Sequence, residues 1–169
     1  MCISVSGDTW GGMAMIKYCL AKWDANKDFL RGCVSSIENL HEYEYTDLVK
    51  LVVNYIFNVD YFGSNNDWNA EGITTIDDGS YQGTLLFLVP KNTSQPDEYE
   101  YLMTFASYGS CSGCDTLQSI QREVEPDQMP SEEVIDEIMM LCKDIVCNTI
   151  KPYNNGWRHE DCFDSVEEG

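Results

Sequence analysis

The chain has 169 residues, 43% of them apolar, with ten Tyr, six Phe and four Trp. That content can fill one core, and it excludes a disordered acidic tail, which lacks aromatics. Twenty-nine acids against ten bases give a net charge of −19, which repels nucleic acid and anionic membrane and attracts basic surfaces.

Residues 9–23 read as a helix, with Met13, Ile16, Leu20 and Trp23 at helical spacing. Asp24-Ala25-Asn26 reads as a break. Residues 27–40 then read as a second helix, striped by Phe29, Leu30, Cys33, Val34, Ile37 and Leu40. Asn26 is its expected cap, Asp28 suits its first turn, and His41 falls at its end, where a cation suits the dipole. Residues 46–58 read as a third helix, with Thr46 as its candidate N-cap. Its apolar residues run nearly all round, so burial is expected. Residues 60–70 form a polar loop without the alternating ligands of a calcium loop.

The period then changes to two. Residues 73–76 read as a strand, and Asp77-Asp78-Gly79-Ser80 as a hairpin turn. Those adjacent carboxylates fit a turn better than an acid–base pair. Tyr81, Gly83, Leu85, Phe87 and Val89 form one face of a second strand, which Pro90 ends. Tyr99, Tyr101, Met103 and Phe105 alternate in a third. A short helix is expected over 112–122, a break at 123–127, and a last helix capped by Ser131 and running to about residue 150. The fold class is therefore α+β: N-terminal helices, a three-stranded antiparallel β-meander and two C-terminal helices. One domain spans 1–151, and 152–169 form an acidic C-terminal tail with Trp157 as an aromatic anchor.

No Walker loop, dinucleotide fingerprint or Ser-His-carboxylate arrangement is present, so no reaction is assigned and a non-enzyme is expected. There is no basic patch for nucleic acid and no apolar run long enough to span a bilayer. No signal peptide is evident, so a cytoplasmic location is expected. The eight cysteines are then expected as reduced thiols, with Cys19 and Cys33 in the core.

Cys111-Ser-Gly-Cys114 supports three readings. A thiol pair at a helix N-terminus resembles the placement of a thioredoxin-type redox pair, although the preceding strands form a meander rather than a parallel unit. Alternatively, Cys111 and Cys114 are half of a structural zinc site. The other half would come from Cys142, Cys147, His159 or Cys162, and His159-Glu-Asp-Cys162 is the best-spaced pair. The third reading is a turn whose glycines bend the chain, whose serine caps the helix and whose cysteines pack.

The block from Ile73 to Phe87, followed by Tyr108-Gly-Ser-Cys-Ser-Gly-Cys-Asp-Thr-Leu-Gln118, resembles a segment of uncharacterised phage and prophage proteins over residues 68–121. In size and charge the chain resembles small acidic anti-CRISPR and anti-restriction proteins. That resemblance implies an inhibitor of a nucleic-acid-dependent defence nuclease, such as an RNA-guided nuclease. Its carboxylates would occupy a basic groove, and in a phage-encoded protein the setting would be the host cytoplasm. The ridge Glu132, Glu133, Asp136 and Glu137 is the expected partner-binding face. A thiol- or zinc-centred protein and a phage interaction or scaffold protein are the alternatives.

Overall fold

The computed structural model describes residues 7–60, 63–64, 67–80, 82–97, 100–111 and 113–151. The expected tail at 152–169, with Trp157, His159 and Cys162, lies outside them. The α+β order stands: helices, a meander, then two helices.

α1 runs unbroken over Gly7–Val34, about 42 Å at the usual rise. The expected break at Asp24-Ala25-Asn26 is absent, and so is a second helix with its own cap. Asn26 is buried, and its Nδ2 donates to Ile56 O at 2.9 Å and Val59 O at 3.1 Å. Those carbonyls lie where the next helix ends, at the terminus that leaves acceptors unmatched. Asn26 thus caps a neighbouring helix rather than its own, and its tertiary bonds outweigh its weak local helix propensity. Lys22 Nζ adds a third donor, to Val59 O at 2.8 Å.

α2 spans Tyr45–Val52 and runs on as a single π turn over Val53–Phe57. Its start is one residue earlier than expected. Glu44, not Thr46, holds the cap position, and its N–H donates to the Asp47 carboxylate at 2.8 Å. Leu48, Val49, Val52, Val53, Ile56 and Phe57 are all buried, as a nearly all-round apolar pattern requires. His41 does not end a helix. It sits in a 3-10 turn at Leu40–Glu42, with its ring against Val124 O.

The polar loop contains two short paired strands, β1 (Val59–Asp60) and β2 (Gly63–Ser64). Buried Asn58 clamps this region by exchanging two hydrogen bonds with the Trp68 backbone, at 2.8 and 3.0 Å. The meander follows as β3 (Thr74–Asp77), β4 (Gly83–Pro90) and β5 (Tyr101–Tyr108), antiparallel in the order β3-β4-β5.

Register decides which sheet face is core. Val89 opposes Leu102, Phe87 opposes Thr104, and Leu85 opposes Ala106. Phe87, Val89, Leu102, Thr104 and Ala106 are buried, as read for β4. In β5 the alternating set of large residues lies away from the core, because Tyr101, Met103 and Phe105 pair with Pro90, Leu88 and Leu86 on the outer face. Alternating polarity marked β5 poorly. Thr104 faces the core and is satisfied there, its hydroxyl donating to Ile145 O at 2.7 Å.

α3 is short, Thr116–Gln121, and α4 covers Glu132–Cys147 with Ser131 as its cap, as expected. α4 buries Val134, Ile135, Ile138, Leu141, Cys142 and Ile145 against α1, α2 and β5. It stops short of residue 150. Ile150 instead pairs with Met103 through two backbone bonds, of 2.7 and 2.8 Å, along the free edge of β5.

Candidate functional site

Two regions carry the sequence-predicted residues, the turn between β5 and α3 and the exposed face of α4.

The turn is built on Asp115, which the sequence reading passed over. Its carboxylate is buried and accepts three hydrogen bonds: Gln118 N–H at 2.9 Å, Gly109 N–H at 2.9 Å and Tyr45 O–H at 3.2 Å. Tyr45 in turn accepts from Leu117 N–H at 3.2 Å. Asp115 is therefore both the cap of α3 and the anchor that ties the turn to α2. The signal was legible as Asp115-Thr-Leu-Gln118, an acidic cap three residues ahead of Gln. The expected serine cap is displaced by this side chain, which has two oxygens to satisfy two backbone donors. Gly109 allows the fold-over, because a Cβ there would lie 2.3 Å from the Cys114 carbonyl oxygen.

This anchoring presses Cys111 and Cys114 together on the surface. Their sulfurs are 2.8 Å apart and both residues are exposed. Cys111 N–H donates to Cys114 Sγ at 3.0 Å, and the Ser110 hydroxyl lies 3.6 Å from it. The Cys111 thiol, followed by the Ser110 hydroxyl, holds the Cys114 thiol below the ordinary value, since donors favour the thiolate. The helix terminus is not the cause, because Asp115 already occupies it. Beside the turn, a cleft of about 400 Å³ is lined by Tyr43, Tyr45, Thr75, Asp77, Tyr108 and Asp115, among others. Across its rim Tyr108 O–H donates to Asp77 at 2.6 Å, which lowers the Asp77 carboxyl and pushes the phenol up to about 12.

The remaining thiols divide by burial. Cys19 and Cys142 sit in the core, where desolvation pushes each up to about 12. Cys142 is thus withdrawn from the candidate zinc ligands, whereas Cys147 is exposed. Cys33, expected in the core, is only partly buried. Among the described residues no group of three or more His, Cys, Asp or Glu is placed to hold a metal. His159 and Cys162 lie outside those residues.

On α4, Glu132, Glu133, Asp136 and Glu137 are all exposed, but they are not equivalent. Arg31 of α1 reaches Glu132 and Asp136, each at 2.8 Å. Nothing local in the sequence marks this pairing, which joins residues 101 positions apart. Glu133 and Glu137 form no ion pair among the described residues. Partial desolvation, then Glu123, raises the Glu137 carboxyl above its usual range.

Comparison with protein-family models, curated proteins and solved structures gives no match for the chain. Among the described residues no helix is long and apolar enough to cross a membrane.

Proposed function

We propose that the protein acts by binding a basic protein surface, most concretely the nucleic-acid groove of a defence nuclease, which it would block as anti-CRISPR-like proteins do. The observation that supports this is how the positive charge is used. Lys27, Arg31, Lys50 and Lys91 are engaged in pairs with acids of this same chain, and Lys22 is held against a backbone carbonyl. All ten bases are already counted in the net charge of −19, so nineteen carboxylates stand in excess of the cations. The carboxylates of Glu133 and Glu137 project without a cationic partner among the described residues, beside Glu123. Such a surface is complementary to a groove built to neutralise phosphate.

The test is capture from a nuclease-treated lysate, repeated with added duplex DNA and at rising salt. The expected result is a nucleic-acid enzyme that binds, loses activity and is displaced by DNA. Glu133→Lys with Glu137→Lys should weaken that binding at least about tenfold, while Glu132 and Asp136 changes act partly through Arg31. Inhibition indifferent to DNA and to both substitutions would reject the groove reading. Recovery of phage assembly proteins alone would favour an interaction or scaffold role.

A further inference from the structure

A second chemistry stands apart from the acidic face. We propose that Cys111 and Cys114 form a thiol–disulfide exchange site for glutathione-type disulfides, in which Cys114 attacks and Cys111 resolves.

Three observations carry it. The turn is closed by Cys114 N–H donating to Cys111 O at 3.0 Å, which sets both sulfurs on one side, 2.8 Å apart. A disulfide across them needs only a small closing movement. Both are exposed, and a Cβ on intervening Gly113 would meet only Cys111 Sγ, at 3.8 Å, so an incoming disulfide has room. Finally, the two sulfurs are unequal. As a thiol Cys114 Sγ donates to Cys111 O at 3.3 Å, but it receives the Cys111 N–H and faces the Ser110 hydroxyl, contacts that Cys111 Sγ does not share and that favour the thiolate at Cys114. This reverses the order expected for a thiol pair at a helix N-terminus, where the first cysteine is favoured. The reason is that the Asp115 carboxylate caps α3 in place of a thiolate.

Cys114 thiolate attacks one sulfur of the disulfide, a new S–S bond forms, and one glutathione thiolate leaves. The Cys111 thiol then loses its proton to solvent and attacks Cys114 Sγ, which expels the second glutathione thiolate. Two protein thiols are oxidised and one external disulfide is reduced to two thiols.

The test uses the full chain equilibrated with reduced and oxidised glutathione. Tryptic peptide 92–122 contains Cys111 and Cys114 and no other cysteine. The wild-type peptide should lose the mass of two hydrogens. Cys111→Ser should trap glutathione on Cys114, and Cys114→Ser should react several-fold more slowly at Cys111. Ser110→Ala, which leaves both thiols in place, should slow the first step several-fold. The proposal is overturned if peptide 92–122 stays reduced while exposed Cys147 reacts, if Cys111 is the faster nucleophile, or if the purified protein holds stoichiometric zinc that protects both thiols.

Discussion

The thiol turn and the acidic face of α4 both crowd like groups at the surface, yet they titrate in opposite directions. Cys114 sits against another thiol, and its pKa falls. Glu137 is partly desolvated and sits against other carboxylates, and its pKa rises. Desolvation disfavours the charged form at both, and only the turn has donors that outweigh it. The turn aims an amide and a hydroxyl at one sulfur. On α4 the Arg31 guanidinium is bound to Glu132 and Asp136, while Glu137 lies beside Glu123 and Glu133. Crowding with donors favours the charged sulfur, whereas crowding with partial desolvation and like charge disfavours the charged carboxylate.

The strongest way to break this contrast is to remove the turn's anchor. Asp115→Ala leaves two amides and a tyrosine hydroxyl without their acceptor, and should cost about 3 kcal/mol in urea unfolding. It should also erase the difference between the two turn thiols. A near-wild-type midpoint would mean that Asp115 does not hold the turn.

Core thiols sharpen the comparison from the other side. Alkylation of Cys19 and Cys142 in the folded protein should be slower than that of Cys114 by about two orders of magnitude or more, because few are ionised and reagent cannot reach them. Peptide mapping after a timed pulse reads this directly. Cys142→Ser should cost about 2 kcal/mol, since it places a hydroxyl where a thiol packs.

The smallest expected effect belongs to Glu137. Its folded-state pKa is raised, so the native state holds the proton more tightly than the unfolded chain does. Stability from this group is present below the ordinary glutamate pKa and is lost as pH rises through the raised value. Glu137→Gln should therefore gain a few tenths of a kcal/mol at neutral pH, a figure already reduced for solvent screening. The gain should vanish near pH 4. A loss at neutral pH would mean that Glu137 is paired in solution.

How much was legible follows the same division between local and distant causes. The meander, the Ser131 cap and the α4 stripe rest on short-range patterns, and they stand as read. The α1 break failed because Asn26 was judged by its neighbours, while its partners are Ile56 and Val59. Which face of β5 is core was not legible, because an inward threonine bonded to Ile145 looks polar in sequence. In the site, the cysteine pairing was visible as spacing. Its cause was not, since Tyr45 and Gly109 converge on Asp115 only in the fold. The ridge acids were visible as a run, whereas their division by Arg31 spans two distant helices.

The most direct measurement is an NMR titration of one sample carrying 13C at cysteine Cβ and glutamate Cγ. Cys114 should titrate below the ordinary thiol value and Glu137 above the ordinary glutamate value. Both at ordinary values, or both displaced in the same direction, would contradict the conclusion that donors lower the turn thiol while desolvation and neighbouring carboxylates raise Glu137.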